Sequence, residues 1–269
     1  VQVATVVVQG FAMVSLPLGA VVLARRRWPG VGVGPALVGA VAFVASQVVH
    51  VPLNLGVTTL AGRGWLPLLP AALVPVAYGL SAGLCEETAR WVSLRRRRTV
   101  AEAVVTGIGH GGIEAAGLGG LVLLTAVQLA ALGSLVEVPP AAEQALSDFR
   151  AASDTYALAA VVERLSAMTA HAAMSVWVGL AVARRAPWPW AVAVLLHTAF
   201  DAGAVALLPR GVWVVEAFCV GFAAVTAGSA WLAVRWWPLP PAPVVSPVPA
   251  PSLAARPLDP RDADYGDPT

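Results

Sequence analysis

Residues 101–136 read AEAVVTGIGHGGIEAAGLGGLVLLTAVQLAALGSLV, and how this stretch is divided decides the fold. At 1.5 Å per residue it extends about 54 Å as one helix, against about 30 Å of bilayer hydrocarbon. It is either one long helix that tilts, kinks or projects, or two short ones hinged at Gly117, Gly119 and Gly120. Arginine placement arbitrates. With a single helix here, Arg25, Arg26, Arg27, Arg95 to Arg98, Arg184, Arg185 and Arg235 share one side, and only Arg63, Arg150 and Arg210 fall on the other. That bias predicts the N-terminus outside and the C-terminus inside. Two helices would move Arg184 and Arg185 outside and spoil it, so a single helix is expected.

Working outward, apolar runs of spanning length recur along the chain, near 2–24, 34–56, 66–93, 101–136, 156–183, 188–208 and 211–236. The composition agrees: 58% of the 269 residues are hydrophobic and 12% charged, against about 25% charged in soluble domains. Mean hydropathy is +0.76. The fold class is therefore all-α, a polytopic transmembrane bundle of about seven spans occupying 1–237. Residues 238–269 are Pro-rich and end in Asp262, Asp264 and Asp267, a composition that buries no core and predicts a disordered cytoplasmic tail. The stretch 137–155 holds Glu137, Glu143, Asp148 and Asp154 against Arg150 and is expected to be a polar turn or short surface helix outside. The first span lacks a basic segment before it and precedes Arg25, so it reads as retained rather than as a cleaved signal peptide.

All 17 basic residues are arginine and the net charge is only +2, which argues against a nucleic-acid partner. The expected surroundings are membrane lipids, in an integral multi-pass protein of the plasma membrane; oligomeric state is not encoded in any motif. Cys85 and Cys219 lie in apolar segments and form no CxxC, so they read as buried free thiols. Trp188, Trp190, Trp236 and Trp237 fall at predicted interfaces, as anchors.

Ionisable residues interrupt four of the spans. Glu86, Glu87 and Arg90 lie in one, His110 and Glu114 in the next, His171 in a third, and His197 with Asp201 in a fourth. Counted from the arginine-rich ends, Glu86 is about 13 Å deep, His110 and His197 about 15 Å and His171 about 20 Å, so the groups share one layer. Charges at this depth are costly and mark a functional site by default. Spacing agrees. Glu86 and Arg90, His110 and Glu114, and His197 and Asp201 are each i,i+4, and Glu87 and Arg90 are i,i+3, so each pair shares a helix face. Glu87 with Arg90 reads first as a local ion pair. One arginine cannot neutralise two carboxylates, which leaves Glu86 for acid–base work. The glycines around His110 suit either close helix packing or a pocket with accessible backbone. His50 falls near the outer interface, which suggests an interfacial or gating role. Glu163 with Arg164, and Glu216, read as structural partners.

Three classes of function fit this inventory: a protease using a Glu/His-activated water without a cofactor, a zinc-dependent hydrolase, and a non-enzymatic proton-coupled transporter or scaffold. Three imidazoles with carboxylates could hold zinc, although no HExxH is present. No inverted repeat points to a carrier.

The order Glu86-Glu87-Thr88-Ala89-Arg90, then Gly107-Ile108-Gly109-His110-Gly111-Gly112-Ile113-Glu114, then His171, then His197-Thr198-Ala199-Phe200-Asp201 resembles the YhfC-type family of glutamic intramembrane proteases. That family is distantly similar to the CAAX prenyl endopeptidases and bacteriocin-processing enzymes, with motifs EExxxR, FxxxH and HxxxN or HxxxD. The resemblance covers about residues 45 to 205. It implies an endopeptidase acting on a peptide or membrane-protein substrate, with Glu86 and His110 activating water, Glu87 paired with Arg90, and His197 with Asp201 holding the oxyanion. Arg90 comes one residue earlier than in EExxxR, which leaves Glu86 and Glu87 both as candidates for the base. His171 and Glu114 have no counterpart in the short motifs, and PrsW-like relatives place a glutamate where Glu114 stands. A cavity joining Glu86, His110, His171 and His197 is expected, open toward the cytoplasmic half or laterally between helices.

Overall fold

The computed structural model describes residues 3–62, 73–96, 99–133, 143–144, 147 and 155–238. Seven long helices run through them: α1 (Val3–Arg27), α2 (Gly34–Gly62), α3 (Val74–Leu94), α4 (Val100–Gly133), α5 (Thr155–Arg184), α6 (Trp188–Leu207) and α7 (Val212–Trp236). A 3-10 turn, Leu208–Arg210, leads from α6 into Gly211, whose φ of 105° lies in the left-handed region that glycine adopts without strain. The proline-rich segment from 239 onward, most of the stretch 137–155, and Arg63, Arg97, Arg98 and Arg150 lie outside the described residues.

The 101–136 question resolves as expected, with α4 continuous across Gly117, Gly119 and Gly120. Its start is set by a capping box: Glu102 N–H donates to Thr99 Oγ1 (3.1 Å), and Thr99 N–H donates to Glu102 Oε2 (3.3 Å). Proline opens α3 and α6, where a missing N–H costs nothing. Six of the helices are long and apolar enough to cross a membrane. The seventh, α3, carries Glu86, Glu87 and Arg90 and spans about 31 Å in its 21 residues, the thickness of the hydrocarbon core.

α5 is the central helix. Its apolar window is 72% buried, against 17–28% for the other five apolar helices. It packs on α4, α7, α6, α3 and α1, while α3 packs chiefly on α6 and α2, and α4 on α1, α2 and α5. Large apolar side chains such as Phe11, Leu18, Val48, Leu195 and Val225 point outward, as a lipid-solvated bundle requires.

The glycines of α4 set how close the helices come. A Cβ on Gly109 would stand 1.9 Å from Ala36 O on α2, and one on Gly107 2.5 Å from His171 O and 2.6 Å from Ser175 Oγ on α5. Gly39 of α2 answers from the other side, 1.9 Å from Thr106 O. Backbone is thus pressed on backbone, as in small-residue packing within membranes. Gly117 and Gly120 meet nothing within 4 Å. Gly109→Ala is accordingly expected to destabilise by about 1–3 kcal/mol, the usual cost of overpacking, whereas Gly117→Ala leaves stability unchanged or raises it by up to about 1 kcal/mol through helix propensity. Thermal unfolding of both variants in detergent checks the contrast.

Candidate functional site

The polar layer converges. Glu86 and Glu87 come from α3, His110 and Glu114 from α4, His171 from α5, and His197 and Asp201 from α6. The imidazoles of His110, His171 and His197 form a row with ring centroids 5.2 Å apart at each step. Phe43 of α2 closes the row edge-on against His110, 5.2 Å between centroids. Arg90, Glu87 and His110 are fully buried.

Arg90 can only donate, so it fixes the tautomers around it. Its Nη1 binds both Glu87 oxygens, and its Nη2 donates to His171 Nδ1 at 2.9 Å. Neutral His171 therefore carries its proton on Nε2 and donates it to Glu114 Oε2 at 3.1 Å. Glu114 Oε1 in turn accepts from Arg164 Nη1 at 2.8 Å, and Arg164 also binds Glu163. The structural reading of Glu163 with Arg164 thus holds, with Glu114 as a third member. Glu216 departs from that reading: it is buried on α7 and its Oε2 has no hydrogen-bond partner.

His197 Nδ1–H donates to Glu87 Oε1 at 2.8 Å. Its Nε2 faces Glu86 Oε2 at 3.7 Å and Asp201 Oδ2 at 3.6 Å. The pairing of His197 with Asp201 expected from the i,i+4 spacing is thus looser than its bond to Glu87, which reaches Nδ1 from the adjacent helix. Glu86 Oε2 also lies 3.0 Å from His110 Nε2, within direct hydrogen-bond reach, while His110 Nδ1 is buried without a partner.

Two side chains of α2 join the cluster in a way the spacing did not reveal. Gln47 Nε2 donates to Glu86 Oε1 at 3.2 Å, and His50 Nδ1 lies 4.0 Å from the same oxygen. The expectation of an interfacial His50 fails because α2 does not end near 56. It continues through Pro52 to Gly62, which places His50 mid-helix.

A cavity of about 380 Å³ borders Glu86, His171 and His197 and runs along Asn54, Tyr78, Glu114, Arg164, Asp201 and Val205. These positions lie toward the end of the bundle away from the arginine clusters, so of the two expected openings, cytoplasmic or lateral between helices, the cavity does not follow the cytoplasmic one. On the arginine side of His110, the glycines of α4 press its backbone against α2 and α5. The Asp201, Glu114 and Glu163 side chains are 36%, 27% and 24% exposed, so the acidic wall is not sealed by protein.

The YhfC family, described as YhfC intramembrane metalloprotease, matches residues 12–220. The chain belongs to this family. No curated protein and no solved structure matches it. It is therefore an integral, multi-pass membrane protein of a YhfC-type protease family, and the carrier reading gives way to a hydrolytic one.

The family description implies a metal, and the donor set can be tested against it. Glu86, His110 and His171 offer atoms all within 4.8 Å of one another, and so do Glu87, His171 and His197. Arg90 already holds both Glu87 oxygens of the second set, and His171, common to both sets, would ligate only by giving up its contact with Arg90 or with Glu114. The first set keeps Glu86 clear of Arg90 and includes His110, which has one ring nitrogen without a partner; oxygen and nitrogen donors are those zinc takes. Charge agrees. Glu86, Glu87, Glu114, Glu163 and Asp201 face only Arg90 and Arg164, so protons on the cluster or a bound cation must balance the rest. The residues fit a divalent ion.

Arg90→Met leaves the Glu87 carboxylate buried without its cation and is expected to cost about 3–5 kcal/mol. Arg164→Met, whose partners are part-exposed, costs less. The folded fraction of each variant after thermal challenge measures the difference.

Proposed function

We propose that the chain is an endopeptidase hydrolysing peptide bonds within or near the bilayer, with Glu86 as the group that handles the attacking water. The observation that carries this is the placing of Glu86 at the cavity, one oxygen 3.0 Å from His110 Nε2 and 3.7 Å from His197 Nε2, inside an otherwise apolar bundle. A water beside Oε2 gives its proton to the carboxylate as its oxygen adds to the substrate carbonyl carbon. His110, donating to the same oxygen, orients the carboxylate. His197 holds its Nδ1–H on Glu87, so a proton on its Nε2 points into the cavity toward the developing oxyanion, the interaction that usually contributes most. Collapse of the tetrahedral species breaks the C–N bond. The proton held by Glu86 passes to the leaving nitrogen, giving a carboxylate and an amine. Asp201 Oδ2, 3.6 Å from His197 Nε2, adds a negative charge that favours the proton there. Arg90 and Glu114 keep His171 in one tautomer and act as supports.

The donor geometry favours one further reading of the same residues. Glu86, His110 and His171 would hold zinc, which when bound would polarise the carbonyl and acidify water. In either case the same side chains carry the chemistry.

Full-length protein incubated with a peptide library should lose cleavage at least about a hundredfold in Glu86→Gln. Undiminished cleavage in that variant would sink the assignment. Chelation then separates the two roles of Glu86: activity that survives metal removal makes it a base acting alone, and activity lost and restored by zinc makes it a ligand.

A further inference from the structure

Glu86 has a second oxygen, and what holds it has no part in the chemistry above. Oε1 accepts from Gln47 Nε2 at 3.2 Å, and the other hydrogen of that amide reaches Ser46 Oγ, also at 3.2 Å. With both hydrogens so used, Gln47 Oε1 is an acceptor, and His50 Nδ1–H must donate to it across 3.2 Å. Neutral His50 then has its lone pair on Nε2, which accepts from Asn54 Nδ2 at 2.7 Å. Asn54 Oδ1 accepts in its turn from the Ser81 hydroxyl at 2.5 Å. One assignment satisfies every member, and in it each hydrogen bond that links Ser81, Asn54, His50, Gln47 and Glu86 is donated toward Glu86.

Positions 47, 50 and 54 follow the three- and four-residue steps of one helix face. Their neighbours Val44, Val48 and Val51 are 56%, 73% and 56% exposed and face lipid. A single polar stripe of α2 therefore lies along α3 from Ser81 to Glu86. It is not a proton wire. Each amide has a fixed donor end and a fixed acceptor end, so Gln47 and Asn54 can orient hydrogen bonds but cannot hand a proton along. Mutual polarisation along such a chain strengthens each bond in it.

We infer that Gln47, His50 and Asn54 are positioning residues, a one-directional array that pins the Glu86 carboxylate through Oε1 and leaves Oε2 as the reacting oxygen. The inference rests on Glu86 being the group that handles water. It has a sharp consequence at its far end. Asn54→Asp is nearly isosteric but replaces the donor to His50 with an acceptor. His50 then shifts its proton to Nε2, Gln47 must turn its amide to serve Nδ1, and the amide oxygen comes to face the Glu86 carboxylate. Asn54→Ala merely deletes the last link and leaves His50 free to keep its tautomer.

The test is steady-state cleavage of a quenched fluorescent peptide, taken from the library screen, by the full chain in lipid nanodiscs. Gln47→Leu and Asn54→Asp should each lower kcat about tenfold or more, the scale of a lost outer support, with KM within about twofold. Asn54→Ala should lower kcat less than Asn54→Asp. A purely structural role for Asn54 gives the opposite order, because Asp preserves the shape that Ala removes. If Gln47→Leu does not fold, the Asn54 pair decides alone. Wild-type kcat in Asn54→Asp, or a larger loss in Asn54→Ala, overturns the array while an inactive Glu86→Gln keeps the proposed function. An active Glu86→Gln removes both.

Discussion

The site depends on one buried cation. In the low-dielectric interior of a lipid-immersed bundle the Arg90 guanidinium needs a counter-charge, and its planar fork makes it an organiser as well as a charge. Through Glu87 it connects to His197 on α6, and through Nη2 it binds His171 on α5, so α3, α5 and α6 meet at a single side chain. Because arginine never accepts, it also dictates where the protons of His171 sit, and that choice passes on to Glu114 and Arg164. A lysine could supply the charge but not the fork, and the row of imidazoles would lose its fixed tautomers.

Much of this was legible in the sequence, and the reason is geometric. Helical rise turns residue counting into depth, so polar residues counted from the arginine clusters could be placed in a common layer before any contact was known. The common depth of Glu86, His110, His171 and His197 follows from that alone. What counting cannot give is azimuth between helices. His197 was matched to Asp201 because both lie on one helix, whereas its shorter contact comes from Glu87 across the α3–α6 interface. His50 was misplaced for a different reason: the span was expected to end near 56, whereas α2 continues through Pro52 to Gly62, and His50 Nδ1 lies 4.0 Å from Glu86 Oε1. Gln47 carried no signal, since a lone glutamine in an apolar run has many uses.

The glycines of α4 show how one motif serves two ends. The close contacts at Gly107 and Gly109 lock α4 between α2 and α5 on the arginine side of His110. The polar cavity lies on the other side, where it follows Asp201 and Glu114 outward. The two alternatives left open by the sequence, packing and pocket, thus coexist along one helix, with close packing at Gly107 and Gly109 and the polar cavity beside Glu114.

The burial of α3 bears on how such a chain enters a membrane at all. Each charged residue at the centre of an isolated helix disfavours insertion by about 2.5–3.5 kcal/mol on translocon scales, and α3 carries Glu86, Glu87 and Arg90 together. Glu87 and Arg90 pair within α3 and Gln47 of α2 reaches Glu86, while the remaining partners lie on α4, α5 and α6. Of the seven long helices, α3 is therefore the one that an apolar solvent accepts least readily alone, and its stable place in the membrane depends on the same side-chain contacts that assemble the polar cluster.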